Sequence, residues 1–512
     1  MTNFDLLQYI GGVDDQYIMD SRKKPRKKPV WPTALAAVLT LVILAGGSTY
    51  FIRQGSDSVT AGNETLETSL AAGEPVEESG DTAPETAPAE GAPATTAEPQ
   101  KATDYNVTLL ASAQYPSSIA TDDYEAASTN WTENQVSEDT SYALNAFSYK
   151  TAAAVLQDAD TSGCYSPLSL YQTLSVLASG AEGNTRDQIL NLLGISDLQT
   201  LSQESGKLYR VNYKDNDVNV LKIANSLWLD DESSNGATME YNLDWLQSAA
   251  KDYYADIYAA DFGSTETAQA MGSWIAEKTG GMLHPEFDFN QDAIMAIVNT
   301  LWYKTQWASQ FQQEDTTQDT FTLSSGDTVT CDFMHTINTS GSYVQGDGYL
   351  KSSLTLNTGK MIFVLPDEDQ NIEDFLTEEK LWEIFENGNY ESGQVHWSVP
   401  KFETEVTYDL TDTLQNLGIT DAFDLTAADF SPIGTSSDPL YLGSVEQGTH
   451  ISINEDGVEA AAYSMAEMLA EAAEPEEEPK IIEMNLNRPF LYLITANDGS
   501  TLFIGVVRDP LK

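Results

Sequence analysis

The first organised feature of the chain is an apolar run. Residues 30–52 contain no charged side chain, and the cluster Arg22-Lys23-Lys24-Pro25-Arg26-Lys27-Lys28 stands just before them. About twenty apolar residues suffice to cross a bilayer as a helix. The basic cluster on the N-terminal side predicts that residues 1–29 lie in the cytoplasm and that everything after residue 52 lies outside. Trp31, Tyr50 and Phe51 fall where interfacial aromatic side chains belong. A cleaved signal peptide is the competing reading, but the leading segment is long and Ala45-Gly46-Gly47 is a poor small-residue cleavage match. A single-pass anchor over 30–52 is therefore expected, and no cysteine follows it to carry a lipid.

From about Ser141 the pattern changes. Apolar side chains return at three- and four-residue intervals over 143–156 and 167–178, and again over 184–193 after the turn Gly180-Ala181-Glu182-Gly183. Helices are predicted there. Short runs over 223–229, 296–303, 361–365, 489–495 and 501–507 read as strands. Their irregular order, with no repeated period, predicts a mixed α+β domain of about 370 residues. A parallel βαβ enzyme would alternate more regularly, and neither GxGxxG nor GxxxxGK is present.

Between anchor and domain the composition shifts. Residues 54–100 are mostly Glu, Thr, Ala, Pro, Gly and Ser, with ten acidic side chains and no basic one. Such a segment buries too little apolar surface to offset its chain entropy, so a disordered tether is expected over 53–104. As a coil, the 47 residues of 54–100 span about 40 Å root-mean-square. The whole chain of 512 residues has 79 acidic and 25 basic side chains, a formal charge of -54. Seven of the basic residues but only four of the acidic ones lie in positions 1–53, so the part beyond the membrane carries -57. That balance argues against nucleic acid as a direct partner, because phosphate backbones are bound through clustered Lys and Arg. With 41% hydrophobic and 10% aromatic residues, the chain is nonetheless too apolar to be disordered throughout.

Catalytic chemistry is sparse. The two cysteines, Cys164 and Cys331, provide no disulfide framework and no CxxC motif, and nothing around them indicates that they meet. His284, His335, His396 and His450 are scattered and show neither metal-ligand nor triad spacing, so each reads as an ordinary polar residue of surface or core. No catalytic residue, metal or cofactor is expected.

Particular phrases are more specific than composition. Tyr165-Ser166-Pro167-Leu168-Ser169-Leu170 is followed by Gly180-Ala181-Glu182-Gly183-Asn184-Thr185. Ile297-Val298-Asn299-Thr300-Leu301-Trp302-Tyr303 leads to Trp307 and Phe311. Val399-Pro400-Lys401-Phe402 leads to Leu417-Gly418-Ile419 and Ala422-Phe423, and Met484-Asn485-Leu486-Asn487-Arg488-Pro489-Phe490-Leu491-Tyr492 closes the series. In this order and spacing the phrases resemble the serpin family from about residue 140 to 510, within an extracellular domain expected to span 105–512. The resemblance implies three β-sheets, eight or nine helices and an exposed reactive loop near the C-terminus. In inhibitory members that loop is bait: after cleavage it inserts as a new central strand of the large sheet and carries the covalently attached protease with it.

The resemblance places the loop hinge at Glu455, Asp456, Gly457, Val458, Glu459, Ala460, Ala461, Ala462, Tyr463 and Ser464. Gly457 supplies backbone freedom at the base. A strand has period two, so Val458, Ala460, Ala462, Ser464, Ala466 and Met468 would share one face, uncharged and mostly small. Glu459 and Glu467 fall on the other face with Ala461, Tyr463, Met465 and Leu469. Helix is the competing reading of 458–473, since Ala, Glu, Met and Leu favour it. Two positions depart from the family. Val458 stands where many inhibitors have Thr or Ser, and Gln447 where many members have His. With Ser166, Ser169 and Asn299, Gln447 still supplies the hydrogen-bonding cluster that the resemblance links to sheet opening, because an amide both donates and accepts.

The resemblance puts the scissile residue about sixteen positions after the hinge acid, which counts from Glu455 to Glu471, with cleavage before Ala472. Slips by one or two positions bring in Leu469, Ala470 or Ala473. A target taking Glu471 accepts acids, whereas a slip to Ala470 or Ala472 implies a small pocket of elastase-like or subtilisin-like type. The following Glu474-Pro475-Glu476-Glu477-Glu478-Pro479 would attract a basic rim on the target or serve as a solvated spacer. The expected protein is a monomeric, membrane-anchored bacterial serpin that inhibits a serine protease. A non-inhibitory serpin, or an adhesive or signalling ectodomain on the same scaffold, is the rival reading.

Overall fold

The structure, a computed structural model, describes residues 101–512 apart from 158–160, 231–238, 284, 288–293, 387, 437–438 and 459–478. The expected anchor at 30–52, most of the tether and most of the loop lie outside the described residues. At the start of the described part, Ala102–Asp104 form a 3-10 turn that buries Ala102.

The described residues form three sheets and nine α-helices. The large sheet has the order Val107–Ala111, Ala255–Ala260, Val220–Asp230, Met295–Gln306, Gly457–Val458, Ser444–Ile453, Phe402–Asp409, with Lys214–Asp215 added beside Val220–Asp230. A second sheet runs from Ile481–Asn485 through Glu391–Pro400, Thr328–Gln345, Tyr349–Leu356, Gly359–Pro366, Phe490–Ala496 and Thr501–Val507 to Gly163–Tyr165, and Thr317–Thr322 pairs with Thr328–Gln345. Gly434–Ser436 and Met239–Tyr241 make a two-stranded piece.

The predicted helices and strands are present, most with longer bounds; the strand 501–507 is matched residue for residue and the one expected over 489–495 is shifted by one, to Phe490–Ala496. The helix Pro167–Gly180 is the pivot of the core, with 13 of its 14 residues buried. Its start is strongly specified. The Ser166 hydroxyl accepts from the backbone N–H of Ser169, and Pro167 occupies a first-turn position whose N–H would have no helical partner. The next helix, Gly183–Leu193, stops at Gly194, which takes a left-handed conformation (φ 70°) while Ile195 N–H donates to Leu190 O. On the inner face of the large sheet Leu221, Ile223, Leu227, Ile297, Leu301 and Tyr303 join the main core. On the other face Ala224, Trp228, Ala296 and Val298 pack beneath the helix Thr265–Lys278. Both faces of the central strands are therefore covered, which accounts for their nearly continuous apolar sequences.

Candidate functional site: the loop hinge and the seam of the large sheet

Two neighbouring strands of the large sheet, Met295–Gln306 and Ser444–Ile453, run parallel. They are directly paired only over their first halves, from Ala296 with Ser444 to Thr300 with Gly448. Further along, residues 301–304 and 449–452 share no ladder among the described residues. At the far end Gly457–Val458 wedges between the two strands, antiparallel to both. Gly457 is opposite Gln306, and Val458 is opposite both Thr305 and Ile453. The sheet thus has a seam closed below, split above and plugged at its mouth by the first two residues after the turn.

The turn is tightly specified. Asn454 Oδ1 accepts from the N–H groups of Asp456 and Gly457, and Asn454 N–H donates to Gly457 O. Trp307 holds it from the adjacent strand, its indole N–H donating to Asn454 O at 2.9 Å and its backbone N–H to Asp456 O at 3.1 Å. Gly457 has φ 153°, and a Cβ there would stand 2.2 Å from Thr305 O. Only glycine fits this approach. Val458 is 1% exposed.

Glu455 is buried among Thr316, which donates to Oε1 at 2.8 Å, and Lys401, whose ammonium lies 3.0 Å from Oε2. Burial pushes this carboxyl up, but the hydrogen bonds from its own backbone, Lys401 and Thr316 outweigh it and hold the group below the usual range. The adjacent Asp456 is raised, by burial first and by the Glu455 charge second.

A polar cluster lies at the top of the closed stretch of the seam, one residue pair below the split. Gln447 Oε1 accepts from Ser166 N–H and its amide donates to Ser166 O, both at 3.1 Å. The same amide reaches Asn299 Oδ1 at 3.4 Å, to which Ser169 Oγ donates at 2.5 Å. Asn299 Nδ2 donates to Asn225 Oδ1 at 2.7 Å, and Thr173 Oγ1 donates to that oxygen at 2.8 Å. All six residues are buried. The helix Pro167–Gly180, the two seam strands and the strand Val220–Asp230 are stitched together here.

The family pattern described as Serpin (serine protease inhibitor) matches residues 142–510. The protein belongs to the serpin family. Alpha-1-antiproteinase 2 of the horse, Equus caballus, is 31% identical over 363 residues, covering 68% of this chain and 81% of that protein. The leukocyte elastase inhibitor of Xenopus tropicalis is 30% identical over 375 residues, covering 68% and 92%. Among solved structures, the thermophilic serpin tengpin in its native state matches with TM-score 0.66 and 26% identity, over 79% of this chain and 99% of that one. Thyroxine-binding globulin in complex with thyroxine matches in fold, with TM-score 0.63 and 24% identity over 73% and 99%. Serpins are mainly protease inhibitors rather than enzymes, and this membership covers both named kinds.

In this serpin the structure brings Ser166, Ser169, Asn299 and Gln447 into one network and sets Glu455, Gly457 and Val458 at the mouth of the seam. Glu459, Ala460, Ala461, Ala462, Ser464, Leu469, Ala470, Glu471, Ala472 and Ala473 lie outside the described residues. Sequence reasoning passes over Asn225 and Thr173, although both left a trace. Asn225 is a polar residue at an inward position of a mostly apolar run, and Thr173 stands four residues after Ser169 on the same helix face. Lys401, Thr316 and Trp307 come from distant segments, and no local spacing reveals their meeting with the hinge. Cys164 and Cys331 are buried and no disulfide joins them. His335 bonds Thr317, His396 lies against Glu483, and His450 against Glu403.

Proposed function

We propose that this serpin is an extracellular suicide-substrate inhibitor of a serine protease. Its loop is cleaved between Glu471 and Ala472, or within one or two residues of that bond, and then enters the seam. The observation that carries the reading is the double register of Gly457–Val458. If both ladders continued after cleavage, residue 460 would fall between Tyr303 and Ile451, 462 between Leu301 and Thr449, and 464 between Asn299 and Gln447. These partners are all buried. The loop residues assigned to them, Ala460, Ala462 and Ser464, are small and uncharged, and Ser464 would meet the amides of the polar cluster. Glu459 would stand on the opposite face beside Lys304, where a charge is tolerated and has a partner.

The protease supplies the nucleophile, and the serpin supplies the scissile carbonyl, the hinge and a sheet that gains a strand. The uncharged run 30–52 and the basic cluster before it support a single-pass membrane anchor with the serpin domain outside. The acidic tether after it supports a bacterial cell-surface setting.

The test uses the full chain with trypsin-like, chymotrypsin-like, elastase-like, Glu-specific and subtilisin-like proteases. The expected result is a protease adduct that survives boiling in detergent with at least one of the last three, together with a released peptide beginning at Ala472 or within two residues of it. Clean loop cleavage by every protease with no adduct would establish the non-inhibitory reading, a binding or signalling ectodomain on a serpin scaffold.

A further inference from the structure

The helix Thr265–Lys278 lies across the route that an entering strand must take. Its Met271, Trp274 and Ile275 share a buried cluster with Ala296 and Val298, on one side of the seam. Leu283, just beyond the helix, belongs to the same cluster, and a Cβ on Gly448, on the other side, would lie 3.4 Å from Leu283 Cδ1. Helix and trailing residue therefore bridge the stretch where the two strands are still directly paired. Strand entry past Thr300 requires them to lift.

One carboxylate fastens that helix. Asp256, on the strand Ala255–Ala260, is 2% exposed. Its Oδ2 accepts from the indole N–H of Trp274 at 2.9 Å and from the ammonium of Lys278 at 2.8 Å, both in the second half of the helix. Its Oδ1 accepts from Ala113 N–H at 2.8 Å and from Ser112 Oγ at 3.3 Å, both in the N-terminal arm. The arm runs along the sheet edge as the strand Val107–Ala111, and it touches the helix again where Ser273 Oγ donates to Tyr105 Oη at 3.1 Å. Beyond Ala113, Tyr115 packs against Tyr209 and Tyr213, and the ammonium of Lys278 lies 5.6 Å from its ring centre. Lifting the helix would leave Asp256 without its ammonium partner in a buried setting, which is far more costly than parting an exposed pair.

We propose that Asp256 is a positioning residue for sheet opening: by tying the N-terminal arm and the end of the helix to the strand Ala255–Ala260, it sets the rate at which the seam admits a strand. This inference rests on the inhibitory reading only in requiring a sheet that can open.

The test follows the full chain, warmed without protease, as it converts to a form that resists urea concentrations that unfold the native protein. The stoichiometry of protease trapping is the second readout. Lys278→Met removes the ammonium, Asp256→Asn turns an amide toward two donors, and Tyr115→Ala loosens the arm and its ring contact with Lys278 while keeping the Asp256 carboxylate, should the other two fail to fold. All are expected to speed conversion about tenfold, a barrier change of about 1.4 kcal/mol, and to shift trapping toward simple cleavage. Leu190→Ala, in a helix that touches neither arm nor latch, lowers the melting temperature but leaves conversion at the wild-type rate. Variants converting at the wild-type rate overturn the latch, as does equal acceleration in Leu190→Ala. A wild-type chain that gains no urea resistance after loop cleavage instead overturns the opening sheet, and the latch with it.

Discussion

Glu446 stands on the seam strand Ser444–Ile453, directly opposite Val298 on one side and Asp409 on the other. Burial first, and the Asp409 charge second, push its carboxyl up to about 7. The folded protein therefore holds this proton over a range where the unfolded chain has lost it. Stability falls as pH rises from the unfolded value near 4.5 through 7, and the penalty is constant above that. Discounted for the exposed part of the side chain, the effect amounts to about 2 kcal/mol. Glu446→Gln keeps the shape and removes the charge. Urea midpoints of the two proteins are expected to agree near pH 4 and to diverge toward pH 8, with the variant more stable. Glu455, held low, has the opposite sign, since its contribution is lost as pH falls through its folded value. It is common to both proteins and cancels in the comparison. A difference that stays flat across pH 4–8 would remove the penalty from Glu446.

At the level of elements, Asn299 joins three of them: it accepts from Ser169 on the helix Pro167–Gly180, bonds Asn225 on Val220–Asp230 and meets Gln447 on Ser444–Ile453. Asn299→Ala strands several buried polar groups at once and is expected to lower native stability by about 3 kcal/mol. Ser166→Ala removes a helix cap at about 1 kcal/mol. Urea unfolding that ranks the two in the reverse order would place the centre of the network elsewhere. The elements themselves were legible where the apolar spacing was unbroken: the run over 296–303 lies inside Met295–Gln306, and 501–507 coincides with Thr501–Val507. The long strand Thr328–Gln345 was not legible, because one face is open to solvent and its sequence mixes Thr, Ser, Asn and Gly with a few buried aromatics. The helix Leu198–Asn212 hides for a related reason, with Ser205 and Gly206 buried on its packed face among Leu201, Leu208 and Tyr209. The cluster at the seam could be named only through the family phrases. Its members are up to 281 residues apart, and the strand pairing that joins them is a long-range property.

For the whole molecule the governing quantity is charge. Residues 101–512 carry 65 acidic and 18 basic side chains, a balance of -47, and the segment 54–100 adds ten more acids. A field of that size acts on a protease before any contact forms, and it acts through solvent, so salt controls its reach: about 10 Å at 0.1 M and about 3 Å at 1 M. Contacts between loop and active site are short-ranged and largely insensitive to salt once formed. The association rate should therefore separate the two contributions. Two proteases with the same pocket preference and opposite net charge are compared in rapid-mixing experiments. With the basic protease, association is expected to slow by about tenfold or more between 20 mM and 500 mM salt, the behaviour of steered encounter. With the acidic one it is expected to stay level or rise as repulsion is screened. Equal salt responses for both would mean that the charge serves only to keep the surface apart from other copies of itself, and that partner choice rests in the loop alone.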